Sequence, residues 1–119
     1  MNARPLTVAE TSSFSRSAAR IWSEAELAEL VEYVAHNPET GDVIQGTGGV
    51  RKLRCGASGV GKRGGARVIY FYYHPGCPLY LLLAYVKSQA TDLTPEEKKA
   101  VAAFASTIKN AAGFTAGDA

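Results

Sequence analysis

The stretch GTGGVRKLRCGASGVGKRGGARVIYFYY, residues 46–73, decides how this chain folds. It holds eight of the twelve glycines and six of the thirteen Lys and Arg residues, and it contains no Asp or Glu. The alternation over residues 50–55 predicts a β-strand on which Lys52 and Arg54 share one face. Residues 67–74, after a glycine-rich turn, predict a second, apolar and aromatic strand. The stretch therefore predicts two adjacent strands, the second of which opens on Arg67.

Charge is distributed unevenly along the 119 residues. Between Val43 and Thr91 there is no acid, and seven bases fall in that window: Arg51, Lys52, Arg54, Lys62, Arg63, Arg67 and Lys87. The remaining segments hold six bases and all eleven acids, so the net charge of +2 combines a +7 centre with flanks of −5. A centre of this charge in a small protein predicts a binding site for a polyanion.

Working outward, residues 79–87 predict a third strand, and the sequence HPGCP at 74–78 is typical of a hairpin turn. Three successive strands predict an antiparallel meander. Residues 6–9 predict a short edge strand. Residues 38–49 predict a loop in which only Val43 and Ile44 are able to reach a core.

Three helices complete the expected fold. The first begins near Ser13. The second is capped by Ser23, with Glu26 in the capping-box position, and ends near Asn37 because Pro38 disfavours helical geometry before it. The third opens with the sequence TPEE at 94–97, ends at Gly113, and has a core-facing stripe formed by Val101, Phe104, Ala105 and Ile108.

Length and composition predict one domain over residues 1–119, with a frayed tail at about 113–119. The longest apolar run, 79–86, is too short to span a membrane, and the N-terminus lacks the pattern of a secretory signal. We therefore expect a cytoplasmic protein. Cys55, Cys77, His36 and His74 lack the close pairing of zinc sites, so we expect no metal and no cofactor.

Two nucleotide-binding patterns occur in the glycine-rich turn, and neither is complete. Residues 59–64 match GxGxxG, but a strand rather than a helix is predicted after them. Residues 56–62 match the spacing of a phosphate-binding loop, but Arg63 stands where Ser or Thr would hold magnesium. A mobile hairpin loop carrying two cations is the better interpretation.

Three segments together resemble the RelE/HigB superfamily of bacterial toxins, in particular its HigB-like branch. They are GDVIQGTGGVRKLR at 41–54, GKRGGARVIYFYY at 61–73 and LYLLLAYVKSQATDLTPEEKKAV at 79–101. The resemblance implies an α+β RelE-like fold, with a mainly antiparallel sheet of three to four strands. It also implies two N-terminal helices, one C-terminal helix, and helices on one side of the sheet.

The resemblance further implies a ribosome-dependent mRNA interferase, a metal-independent endoribonuclease that cleaves mRNA in the 30S A site. The family's catalytic positions match Lys52, Arg54, Arg67 and Lys87. Val86, Ser88, Gln89 and Thr94 depart from the family pattern. Tyr85 is the candidate to supply the missing acid–base group, and one of the tyrosines within residues 70–73 is the alternative. Arg51, Lys62 and Arg63 are expected to hold RNA backbone.

The implied partner is a helix-turn-helix, HigA-like antitoxin. The toxin is expected to bind DNA only indirectly, through this antitoxin. Two other functions stay open at this point. One is a non-catalytic RNA- or ribosome-binding protein on the same fold. The other is a protein that acts chiefly as an antitoxin-bound transcriptional co-repressor.

Overall fold

The computed structural model describes residues 6–57, 65–90 and 92–112, which form an α+β fold around one five-stranded sheet. In chain order the elements are β1 (Val8–Glu10), α1 (Ser12–Ala19), α2 (Glu24–His36), β2 (Asp42–Val43), β3 (Val50–Cys55), β4 (Ala66–Phe71), β5 (Leu79–Val86) and α3 (Pro95–Ala111). The strand order is β1-β5-β4-β3-β2. Two N-terminal helices and one C-terminal helix are confirmed.

The predicted meander is confirmed, because β3, β4 and β5 pair in antiparallel fashion. The edge strand β1 is also present, and it runs parallel to β5. The strand count differs from the expected three to four because β2 adds a fifth. This two-residue strand lies in the predicted loop and pairs with Arg51 and Lys52 of β3, which is too short a pairing for alternation to reveal.

The helices cover both faces of the sheet, which corrects the expectation that they lie on one side. Residues of α1 and α2, such as Phe14 and Val34, pack with Val68 on one face. On the other face α3 packs through Val101 against Ile69. All six residues of β4 are buried, so each face of this central strand needs helical cover.

Helix boundaries follow the predicted capping residues. Ser23 Oγ accepts from the Glu26 amide at 3.1 Å, and the Glu26 carboxylate accepts from the Ser23 amide at 2.8 Å. Thr94 and Glu97 form the same reciprocal pair at the start of α3. α2 ends at His36, next to the predicted Asn37. The last predicted boundary, Gly113, and the tail after it lie outside the described residues.

A bulge in β5 changes which side chains of that strand share a face. Ile69 pairs with Leu83 but Tyr70 pairs with Leu81, so Leu82 is an extra residue in the ladder. The Thr11 hydroxyl, at the N-cap of α1, lies 3.0 Å from the Leu81 carbonyl oxygen and 3.2 Å from that of Leu82. Leu81 therefore packs on the α1/α2 face, whereas Leu83 packs on the α3 face.

Candidate functional site

Three predicted site residues form one row across the sheet. Arg54 on β3 is directly opposite Arg67 on β4, and Arg67 is directly opposite Tyr85 on β5. Directly paired residues project from the same face, with Cβ atoms about 4.5–5.5 Å apart. The bulge at Leu82 puts Tyr85 on this face, because uninterrupted alternation from Leu81 would have placed it on the other.

Lys52 lies beside this row, closer to α3. It pairs with Ile69, which pairs with Leu83, and both apolar residues belong to the core beneath α3. Lys52, Arg54 and Arg67, which we call the cationic patch, thus share one face of two neighbouring strands. The patch adjoins the apolar core on that face, and its members range from exposed Arg54 to Arg67, which is only 9% exposed.

The Arg67 side chain is buried on the face of the sheet that carries the cationic patch. Its Nη1 donates to the Ala66 carbonyl oxygen at 3.1 Å. Its positive charge counters the rise in the pKa of two neighbours, the Tyr85 phenol and the Cys55 thiol. Like charges directly opposite each other on paired strands are destabilising. An oxyanion bound between Arg54 and Arg67 would reduce this repulsion.

The Tyr85 hydroxyl oxygen is buried and has no hydrogen-bond partner among the described residues. Burial raises the pKa of Tyr85, and the negative charges of Asp92 and Glu97 raise it further while Arg67 lowers it. A raised pKa keeps the phenol protonated at neutral pH. Tyr85 thus presents a buried O–H beside Arg67, at the end of the row.

Acids approach the patch in space although none is near it in sequence. Asp92 Oδ1 lies 3.6 Å from Lys52 Nζ, and Asp42 on β2 is opposite Lys52 in the strand register. Lys52 thus has an acid near it in space although none is near it in sequence, because the loop after β5 returns to the patch. The only signal of Asp92 in the sequence was that it ends the acid-free window.

Residues 7–114 match the family described as the RelE toxin of the RelE / RelB toxin-antitoxin system. The chain belongs to the RelE toxin family. This membership identifies a toxin-antitoxin toxin and implies an antitoxin partner, and the five-stranded α+β fold is consistent with it. Among the described residues, no helix is long and apolar enough to cross a membrane.

The other predicted site residues of this RelE-family chain lie in different places. Lys87 follows β5 directly, is exposed, and donates its backbone N–H to the Gly65 carbonyl oxygen at 2.9 Å. It begins the turn that follows the strand, two residues after Tyr85. Lys62 and Arg63 lie outside the described residues, as does most of the glycine-rich turn. The element that follows the turn is β4, not the helix that a nucleotide-binding loop requires.

Arg51 lies on the opposite face of β3 from Lys52 and Arg54. Its Nη1 donates to the carbonyl oxygens of Glu39 at 3.1 Å and Gly41 at 2.7 Å. These two bonds fasten the loop before β2 to the sheet. Arg51 therefore stabilises this loop through its two hydrogen bonds. Its predicted binding to RNA backbone stays a prediction.

The cysteines lie apart and are not disulfide-bonded. Burial raises the pKa of the Cys55 thiol to about 11. Cys77 Sγ lies 3.4 Å from His74 Nε2 in the β4–β5 turn. Within residues 6–57, 65–90 and 92–112, no group of three His, Cys, Asp or Glu side chains is placed to hold a metal ion.

Proposed function

We propose that this RelE-family protein is a ribosome-dependent mRNA interferase of the HigB-like branch. It acts in the cytoplasm, cleaves mRNA in the 30S A site, and is neutralised by a helix-turn-helix, HigA-like antitoxin. The observation that supports the proposal best is the row of Arg54, Arg67 and Tyr85, with Lys52 beside it on the same face. Cationic and proton-donating groups thus converge at one place.

The reaction assigned to this face is transesterification at phosphorus. The ribose 2′-oxygen attacks the adjacent phosphate, its proton leaves, a 2′,3′-cyclic phosphate forms, and the bond to the 5′-oxygen breaks. Charge accumulates on the non-bridging oxygens, and a proton is needed on the departing 5′-oxygen. Arg54 and Arg67 supply guanidinium groups whose planar geometry suits phosphate oxygens.

The proton steps are assigned by the surroundings of each group. Tyr85 is the proposed proton donor to the 5′-oxygen, because it is directly opposite Arg67 and its hydroxyl is otherwise unengaged among the described residues. Lys52, ion-paired with Asp92, is suited to holding a phosphate. Lys87, exposed beyond Tyr85, is then the residue proposed to accept the 2′-proton, through the uncharged form of its amine.

Induced expression in growing cells, with mapping of new mRNA 5′ ends, tests the proposal. Arg54→Met removes one guanidinium, and Arg67→Lys keeps the charge but removes the planar fork. Each change should lower cleavage by about 100-fold or more, the usual cost of losing a preorganised donor to a developing oxyanion. Arg16→Met, at an exposed position of α1, removes the same charge away from the patch and should leave cleavage intact.

Three outcomes distinguish the candidate functions. Growth arrest with new 5′ ends that both patch variants abolish supports the interferase, and cleavage that survives both changes refutes it. Arrest without new 5′ ends indicates the non-catalytic ribosome-binding protein. Absence of arrest indicates the antitoxin-bound co-repressor.

Ribosome association gives a second test. Each phosphate contact releases counterions, so binding by the cationic patch must weaken steeply as salt rises. The Arg54→Met variant should show a shallower dependence than the wild type. A flat salt profile for the wild-type protein contradicts phosphate binding.

A further inference from the structure

Asp92 is fixed at the edge of the cationic patch by the loop that joins β5 to α3. Its Oδ1 accepts the Leu93 amide at 2.9 Å. Leu93 packs against the α3-facing core, and Thr94 caps α3 immediately afterwards. The chain on the C-terminal side of Asp92 is therefore anchored, and the Asp92 carboxylate, 68% exposed, lies next to Lys52.

The carboxylate affects two groups of the site at once. It lies 3.6 Å from Lys52 Nζ, and the Lys52 side chain retains only 31% of its exposure. Its negative charge also acts on Tyr85, where it is the largest contribution to the raised pKa after burial. A carboxylate and a phosphate are both oxyanions that bind ammonium and guanidinium groups.

We propose that the Asp92 carboxylate is an internal substitute for an RNA phosphate, which neutralises Lys52 in the free protein and is displaced when RNA binds. The inference rests on the proposed function, because it takes RNA as the ligand of the patch. Asp92 is accordingly a regulatory counter-ion and not a catalytic residue.

The substitution Asp92→Asn has opposite consequences in the two states. In the free protein it removes the ion pair between Asp92 and Lys52, so stability falls. In the RNA complex it removes a competitor for Lys52, so affinity rises by about two- to fivefold, the range set by the measured worth of a partly exposed ion pair. A residue with only a structural role would lower both.

The test uses the full chain and a 2′-O-methyl RNA oligonucleotide, which cannot be cleaved because its 2′-oxygen carries no proton. Fluorescence anisotropy gives the dissociation constant, and urea unfolding gives the stability of the free protein. Glu29→Gln is the matched control, since it removes one exposed carboxylate from α2, which packs on the other face of the sheet. Lys52→Met, alone and combined with Asp92→Asn, closes a double-mutant cycle.

The expected result is tighter RNA binding and lower stability for Asp92→Asn, with both effects lost in the Lys52→Met background. Glu29→Gln should change affinity by less than about twofold because salt screens distant charges. The proposal is overturned if Asp92→Asn binds RNA no more tightly than Glu29→Gln, or if the gain persists without Lys52.

Failure of this inference is distinguishable from failure of the proposed function. If the protein cleaves mRNA in cells but Asp92→Asn does not change its affinity for RNA, the proposed function stands and the counter-ion proposal is refuted. Cleavage at saturating RNA that falls by more than about tenfold in Asp92→Asn also overturns the inference, because that loss assigns Asp92 to the chemistry. If none of the variants binds the oligonucleotide and none cleaves, both proposals are refuted.

Discussion

Tyr85→Phe should have opposite effects on stability and on cleavage. The Tyr85 hydroxyl is buried, and no described residue bonds to it. A buried hydroxyl without a partner costs about 1–3 kcal/mol, so its removal should leave the free energy of unfolding unchanged or raise it by about 1 kcal/mol. Removing the proposed proton donor should lower cleavage by about 100-fold or more.

A second buried tyrosine gives the matched control. Tyr70 Oη accepts from the Gly41 amide at 2.8 Å and donates to the Pro38 carbonyl oxygen at 2.9 Å. Tyr70→Phe removes both bonds and leaves two backbone groups without that partner. At about 1 kcal/mol for each bond, this variant should lose about 2 kcal/mol of stability. It lies on the α1/α2 face, away from the cationic patch.

Urea unfolding at neutral pH and mRNA cleavage on ribosomes measure the two quantities. The reasoning about the hydroxyl is wrong if Tyr85→Phe loses as much stability as Tyr70→Phe, because that result means the hydroxyl is hydrogen-bonded. The assignment of Tyr85 as proton donor is refuted if the folded Tyr85→Phe variant cleaves at the wild-type rate.

Three further predictions concern residues outside the patch. Arg51→Met should lower the free energy of unfolding in urea by about 1–2 kcal/mol, because it removes the bonds that hold the Glu39–Gly41 loop. It should weaken RNA binding by no more than about twofold. A larger loss of affinity in an anisotropy assay would make Arg51 part of the RNA interface. Iodoacetamide at pH 8 should label Cys77 about 100-fold faster than Cys55, whose pKa near 11 leaves little thiolate. Labelling of Cys55 should accelerate as the pH rises towards 11, and equal rates by peptide mass spectrometry at pH 8 would contradict the burial of its thiol. Thr94→Ala should lower stability by about 1 kcal/mol by removing the hydroxyl that caps α3, and an unchanged urea midpoint would show that this capping bond contributes nothing.

Local signals predicted most of the fold. Capping boxes at Ser23 and Thr94 marked two helix starts, because each satisfies backbone amides within four residues of chain. Alternation marked β3, and apolar, aromatic runs marked β4 and β5. β2 was not predicted because two residues are too few to show an alternating pattern. Its existence depends on pairing with β3, which lies later in the chain.

The candidate site was predicted in part. The family resemblance selected Lys52, Arg54 and Arg67, and alternation within β3 placed the first two on one face. The structure brings all three together on that face. Arg51 was separable from them by the same alternation. Asp92 was missed because its distance from Lys52 depends on how the loop after β5 returns, and sequence separation gives no measure of that path.

The amino-acid sequence by itself determined that this chain has a cationic, acid-free centre and that the cationic residues lie on β-strands. Charge and the alternation of side chains along a strand are both properties of neighbouring residues. Only the tertiary structure decided which groups complete the site. The bulge at Leu82 reverses the facing of β5 and carries Tyr85 to the patch, although strict alternation from Leu79 and Leu81 would place it on the other side. The return of the following loop sets Asp92 against Lys52. Both depend on pairings between residues far apart in the chain, which no local pattern encodes.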